Sequence, residues 1–160
     1  MIHFLKRNGR GICLIAATYF YFLIFAQFAF IELLNVEHSD SLQSTMGAMA
    51  LCGILGSLLT PVVLNRLGAS KTLAISILGC AATAALATLS HSLSSFILLS
   101  ASTGLFLGLL TVSLTSSLRS LLSASSWGLA IGVGTGTAYA LANAPLIFIA
   151  TPAIQSLIAS

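Results

Sequence analysis

Residues 11–31 read GICLIAATYFYFLIFAQFAFI, an apolar stretch that contains no Asp, Glu, Lys, Arg or His. The hydrocarbon core of a bilayer is about 30 Å thick, so a helix that rises about 1.5 Å per residue needs roughly 20 apolar residues to cross it. This stretch is long enough, whereas the apolar run of a signal peptide has only about 7–15 residues. No small-x-small cleavage site follows it. We therefore expect a retained transmembrane helix.

Four further stretches of the same kind follow along the chain. They cover residues 42–64, 72–89, 96–118 and 128–150. All are apolar throughout, whereas the strands of an outer-membrane barrel alternate apolar and polar residues over about ten positions. The sequence therefore predicts an all-α membrane protein, with residues 1–160 forming a single domain built as a bundle of five transmembrane helices.

The composition of the whole chain agrees with a membrane location. Hydrophobic residues make up 58% of the chain, charged residues 6%, and the mean hydropathy is +1.07. Soluble domains carry about 25% charged residues, so we expect the lipid bilayer to be the main partner. Six Lys or Arg residues spread along the chain form no basic patch, which argues against a nucleic-acid partner. Three cysteines in apolar segments do not make a disulfide-stapled secreted domain.

The charged residues of opposite sign lie in predicted loops on opposite sides of the membrane. The cations all flank the spans on one side: Lys6, Arg7, Arg10, Arg66, Lys71 and Arg119. The acids all lie between the first and second spans: Glu32, Glu37 and Asp40. Cytoplasmic loops carry the excess of Lys and Arg in membrane proteins. We therefore expect a multi-pass protein of the cell (inner or plasma) membrane with a cytoplasmic amino terminus and, after five crossings, an external carboxy terminus.

Catalytic and metal-binding chemistry has few candidate residues in this chain. The five stretches contain no Asp, Glu, Lys, Arg or His, and His3, His38 and His91 lie outside them on different sides. A metal site needs ligands that meet around one ion, and acid–base or nucleophilic catalysis needs grouped side chains. We therefore expect neither an enzyme nor a bound metal or cofactor.

The fifth span carries small residues at every fourth position. We call this set the small-residue ridge, and it consists of Gly128, Gly132, Gly136 and Ala140. In lipid, small residues let two helices approach closely. We expect the ridge to pack against the second or the fourth span, which carry shorter glycine pairs of their own. These pairs are Gly53 with Gly56 and Gly104 with Gly108.

Three spans carry uncharged polar residues at helical spacing. They are Tyr19 and Gln27 in the first span, Ser100, Thr103, Thr111 and Thr115 in the fourth, and Thr135, Tyr139 and Asn143 in the fifth. Polar groups in a bilayer cost free energy unless they find a partner. For the Ser and Thr residues we expect hydrogen bonds to nearby backbone carbonyls. For Gln27, Tyr139 and Asn143 two interpretations stay open, a local hydrogen bond or the wall of a polar cavity.

The connection between the second and third spans reads PVVLNRLGASK from Pro61 onward. It resembles the cytoplasmic signature of the major facilitator superfamily, which is Gly, three residues, Asp, a basic residue, any residue, Gly and then basic residues. Arg66 and Gly68 match this signature, and Lys71 supplies a positive charge slightly later. Asn65 stands where the family has Asp, and Pro61 stands where it has Gly. A tight turn is expected at Gly68, because glycine adopts a positive φ without strain.

The resemblance implies a transporter of a small solute, of which this chain would be an amino-terminal part. Family members have about twelve spans in two halves, with the substrate path between the halves. The residues that would then face the path are Tyr19, Gln27, Thr103 and Thr111, and those beside the missing carboxy-terminal half are Tyr139 and Asn143. The alternative is a small non-transporting membrane protein, a pore-former or an accessory subunit, that acts by helix packing or self-association.

Overall fold

The computed structural model of the chain describes residues 2–38 and 41–160, and all secondary structure in this part is helical. The first long helix consists of α1 (Ile2–Tyr21), a π-helix (Phe22–Ala29) and α2 (Phe30–His38). The next three are α3 (Leu42–Leu67), α4 (Ala69–Ala87) and α5 (Leu93–Leu121). A 3-10 turn (Ala124–Ser126) leads to α6 (Trp127–Ala142), α7 (Pro145–Phe148) and α8 (Pro152–Ala159).

Within residues 2–38 and 41–160, four helical stretches are long and apolar enough to cross a membrane. They are Arg7–Val36, Leu42–Leu67, Ala69–Ala87 and Leu93–Leu121. The predicted helical fold is therefore confirmed, and these helices contain the first four predicted spans almost entirely. The turn predicted between α3 and α4 is also present, because Gly68 has a φ of +81° there.

The fifth predicted span, residues 128–150, is not one continuous helix. It contains α6, which has 16 residues and ends at Ala142, and the separate single turn of α7. Between them Ala144 is extended, with φ −60° and ψ 129°, directly before Pro145. Proline has no N–H to donate and disfavours the helical conformation of the preceding residue. The helix predicted over residues 128–150 is therefore interrupted, and α6 alone is shorter than the roughly 20 residues of a full crossing.

The closest approach between helices joins α3 and α5. The facing glycines are Gly53, Gly56, Gly104 and Gly108. A methyl group at Gly104 would overlap the backbone carbonyl of Met49, and one at Gly56 would overlap that of Leu105. The two backbones therefore touch, as small residues permit in lipid. A buried hydrogen bond of 2.6 Å, from the Ser100 hydroxyl to the carbonyl of Thr45, also joins the two helices.

A row of aromatic rings connects the π-helix with α5. The ring centroids lie 5.4 Å apart for Tyr21 and Phe25, 5.7 Å for Phe25 and Phe30, and 6.1 Å for Phe30 and Phe96. The Tyr21 hydroxyl donates to the carbonyl of Cys80 in α4 over 2.9 Å. The two residues that flank the π-helix, Tyr21 and Phe30, therefore contact α4 and α5, and the first long helix runs through the core of the bundle.

Candidate functional site

A groove of about 330 Å³ lies between α1, α5 and the start of α6. Its polar lining comes from Thr18 and Tyr19 of α1, Thr111 and Thr115 of α5, and Trp127 of α6. Ile, Leu and Phe side chains form the rest of the wall, and the groove is partly open to the outside. None of the lining residues is Asp, Glu, Lys, Arg or His, so the wall carries no formal charge.

The threonine hydroxyls of the groove donate within their own helices. Thr18 donates to the carbonyl of Leu14 over 2.9 Å, Thr111 to Leu107 over 2.8 Å, and Thr115 to the carbonyl of Thr111 over 2.9 Å. This is the backbone pairing that we expected for Ser and Thr in these spans. Each hydroxyl oxygen keeps lone pairs that can accept a further hydrogen bond. The threonines therefore present acceptors to the groove.

Tyr19 and Trp127 add donors to the same groove. Within the part of the chain that the structure describes, neither the Tyr19 hydroxyl nor the Trp127 indole N–H makes a hydrogen bond. Tyr19 is 40% exposed and Trp127 is half-buried. The groove thus combines two donors, several acceptors and aromatic faces in a mostly apolar wall.

Polar residues tie the helices together beside the Trp127 end of the groove. Arg7 at the start of α1 donates through Nη2 to Ser123 Oγ over 2.9 Å. Ser126 Oγ lies 2.6 Å from Ser123 Oγ and donates to Asn8 Oδ1 over 3.2 Å. Asn8 is only 1% exposed. This polar cluster fixes the connection between α5 and α6 against α1.

The structure brings Tyr19 and Thr111 together and leaves the other predicted path residues outside the groove. Thr103 is fully buried in α5, and its Oγ1 has no hydrogen-bond partner among the described residues. Gln27 is exposed on the π-helix, and Tyr139 is 54% exposed on α6. Asn143 is exposed at the end of α6, where its Nδ2 donates to the Tyr139 carbonyl over 2.9 Å. The backbone N–H of Asn143 donates to the same carbonyl over 3.0 Å, so the side-chain amide adds a second hydrogen bond within the last turn of its own helix.

The small-residue ridge lies on the exposed face of α6. A Cβ built on Gly128, Gly132 or Gly136 meets nothing within 4 Å, and Ala140 is exposed. The face that packs against the first long helix is offset by two residues and consists of Ala130, Gly134, Ala138 and Ala142. A Cβ on Gly134 would lie 2.7 Å from Cγ2 of Ile15. The predicted contact of the ridge with the second or fourth span is therefore wrong within this chain. Small residues recur at every fourth position on two faces of α6, and the face without the ridge is the one that packs against the rest of the chain.

The residues that resemble the family signature lie at the junction of α3 and α4. Asn65, Arg66 and Lys71 are exposed there. Gly68 is the hinge of the turn, with its N–H bonded to the carbonyl of Leu64 over 2.9 Å. The same glycine accepts a hydrogen bond from the backbone N–H of Thr72 over 3.1 Å. The loop is thus short and ordered by backbone hydrogen bonds.

Thr18, Phe22 and Trp127 line the groove although the sequence pattern did not single them out. Trp127 is the only tryptophan of the chain and precedes the fifth span, which is a typical place for an interfacial anchor. Its place between the fourth and fifth spans, which both carry polar residues at helical spacing, was the sequence feature that could have indicated a role in the groove. Among the described residues no group of three or more His, Cys, Asp or Glu side chains could hold a metal ion.

Comparisons with protein-family models, with curated proteins and with solved structures find no match to this chain. The resemblance to the major facilitator superfamily therefore stays a prediction.

Proposed function

We propose that the chain is a multi-pass membrane transport protein in which the groove between α1, α5 and α6 holds a small solute during its passage. The groove itself carries the proposal. Ligand sites are concave and mostly apolar, contain a few polar groups, and have volumes of roughly 300–1,000 Å³. A groove of about 330 Å³ with Tyr19, Thr111 and Thr115 in an apolar wall fits this description. Inert packing would leave few voids larger than a water molecule.

The proposed topology follows from the charges and the helices. We place the amino terminus and the α3–α4 turn with Arg66 and Lys71 in the cytoplasm, in keeping with the positive-inside rule. Four long helices cross the bilayer, and α6 with α7 makes a fifth crossing that is interrupted before Pro145. Broken helices occur at membrane depth where the freed backbone groups are buried or line a cavity. The carboxy terminus is then external, and Trp127 marks the cytoplasmic end of the groove.

A second wall is part of the proposal, because the groove is partly open. In the family that the chain resembles, the path runs between two halves. A separate half or a second copy of this chain would close the groove in the same way. Gln27, Tyr139 and Asn143, which are exposed on this chain, would lie beside that second wall.

The alternative function is an accessory membrane subunit that does not transport a solute. The exposed small-residue ridge favours it, because this face of α6 meets no other part of the described chain and small residues suit close contact with a partner helix. In this case the groove would be covered by lipid or protein and would hold no water path.

The experiment that separates the two functions is cysteine labelling from both sides of the membrane. In a variant without the native Cys13, Cys52 and Cys80, Thr111→Cys is treated with a membrane-impermeant maleimide in right-side-out and in inverted vesicles. Maleimides react with the thiolate, which forms in water and hardly at all in the hydrocarbon core. The matched control is Leu58→Cys, which replaces a 69% exposed residue of α3 away from the groove.

Transport predicts that Thr111→Cys is labelled from both sides while Leu58→Cys is not labelled from either. Labelling of Thr111→Cys from one side only supports a binding protein without transport. A Thr111→Cys variant as unreactive as Leu58→Cys would contradict the proposed function and support the accessory role.

A further inference from the structure

We propose that the groove selects an uncharged, flat ring compound that carries a hydroxyl group and is about two fused rings in size. The proposal rests on the proposed function, because it assigns a substrate class to the same groove. It is argued from the volume of the groove, from its aromatic wall and from the hydrogen-bonding groups in that wall.

The volume indicates the size of the ligand that the three helices can surround. An apolar protein cavity of about 150 Å³ holds one benzene molecule. The groove between α1, α5 and α6 has about 330 Å³, which is roughly twice that volume. It therefore has room for a molecule of two fused rings, or for one ring with short substituents.

The aromatic wall favours a flat ring over a flexible chain. Tyr19, Phe22 and Trp127 line the groove from two different helices. Aromatic rings attract one another in offset-stacked and edge-to-face arrangements beyond the effect of the buried area alone. A planar ligand can pack against such rings without losing internal freedom, whereas an acyl chain would be ordered on binding.

The polar groups of the wall favour a ligand that carries a neutral hydroxyl group. The Thr111 and Thr115 hydroxyls already donate to backbone carbonyls, so their oxygens are left to accept, and Tyr19 supplies a donor. A hydroxyl both donates and accepts, so it satisfies both kinds of group. A pure hydrocarbon would leave the Tyr19 hydroxyl without a partner. A carboxylate or an ammonium group would find no counter-charge among the lining residues and would stay costly to bury.

The ligand provides the readout, because 2-naphthol absorbs and emits in the same range as tryptophan and would mask the emission of Trp127 in the groove wall. The full chain is reconstituted in liposomes, and the emission of 2-naphthol is followed as it is added, with protein-free liposomes as the reference. Naphthalene, which lacks the hydroxyl, and 2-naphthoate, which adds a charge, are titrated in parallel. We expect a saturable change with 2-naphthol and at least tenfold weaker binding of both analogues.

Side-chain variants test whether the signal comes from the proposed contacts. Thr111→Val and Tyr19→Phe keep the shape of the wall and remove one polar group each, and we expect both to weaken 2-naphthol binding by fivefold or more. Thr137→Val is the matched control. Thr137 makes the same kind of local hydrogen bond, to the carbonyl of Val133 over 2.7 Å, on the exposed surface of α6, and we expect no change.

Three results would overturn the proposal. They are equal binding of naphthalene and 2-naphthol, an emission change that does not saturate, and binding that is the same in Thr111→Val, Tyr19→Phe and Thr137→Val. The labelling of Thr111→Cys separates this proposal from the proposed function. If the cysteine is labelled from both sides but 2-naphthol does not bind, the ligand class is wrong and transport stands. If 2-naphthol binds but the cysteine is not labelled, the ligand site stands and transport is wrong.

Discussion

The contact between α3 and α5 predicts a large effect of a single methyl group at Gly108. A Cβ at this position would overlap the carbonyl oxygen of Gly53 and would lie 2.7 Å from the backbone N of Ser57. Both obstacles are backbone atoms, which cannot rotate aside as the end of a side chain can. An ordinary contact begins at 3.4 Å, so Gly108→Ala must separate the two helices by at least about 0.7 Å and open gaps between atoms that now touch.

The expected cost follows from this separation. A gap of about 0.5–1 Å removes a quarter to a half of the van der Waals attraction between facing atoms. Added methyl groups in well-packed contacts cost about 1–3 kcal/mol. We expect Gly108→Ala to lower the free energy of unfolding by about 2–3 kcal/mol, in the upper part of that range because backbone obstructs the methyl group on two sides.

The assay is unfolding in mixed micelles by increasing SDS, followed by far-UV circular dichroism. Gly132→Ala on α6 is the matched control, because a Cβ there meets nothing within 4 Å. Alanine is favoured over glycine in a helix by about 0.5–1 kcal/mol, so the control is expected to be as stable as the parent or slightly more stable. Equal free energies of unfolding for Gly108→Ala and Gly132→Ala would refute the glycine contact.

Three further predictions concern hydrogen bonds and topology. Ser100→Ala removes a buried 2.6 Å hydrogen bond to the backbone of α3 and should lower the free energy of unfolding by about 1–3 kcal/mol in the same assay. Ser102→Ala loses only a hydrogen bond within its own helix and should lower it by less than about 0.5 kcal/mol. Equal decreases for the two variants would contradict the interhelical role of Ser100. Ser126→Ala leaves the buried Asn8 Oδ1 without its partner and should lower the free energy of unfolding by about 1–3 kcal/mol, and an unchanged value would show that the cluster does not hold α1. A reporter that is active only in the cytoplasm, fused after Ser160, should be silent after five crossings, and a strong signal would contradict the proposed topology.

The helical fold was predictable because the long charge-free runs leave no other structure for a chain in lipid. The end of α6 was not predictable, because one proline of this chain lies inside a continuous helix and another lies at a break between two helices. Pro61 lies inside α3, which continues to Leu67, whereas Pro145 follows an extended Ala144 and begins a new helix. Spacing along the sequence does not distinguish these outcomes. They depend on whether neighbouring groups satisfy the carbonyl that proline leaves free, as the backbone N–H of Ala144 does for the Leu141 carbonyl over 3.1 Å.

The candidate site was predictable only in part for a similar reason. The period of a helix places Thr111 and Thr115 on one face of α5, and the structure puts both in the groove with Tyr19. The period does not say which helix lies opposite that face. For α6 the choice between two small-residue faces, one through Gly132 and one through Gly134, was decided by the fit of Gly134 against Ile15 in α1. That fit depends on how α1 and α6 pack in three dimensions.

The proposed function requires the groove between α1, α5 and α6 to be a water-accessible solute site inside the membrane. Labelling of Thr111→Cys by an impermeant maleimide from each side of the membrane measures this access. We expect reaction from both sides, at rates at least about a hundredfold above those of Leu58→Cys, because the lipid-facing thiol is shielded from water and stays protonated. Rates for Thr111→Cys that equal those of Leu58→Cys would contradict the proposed function.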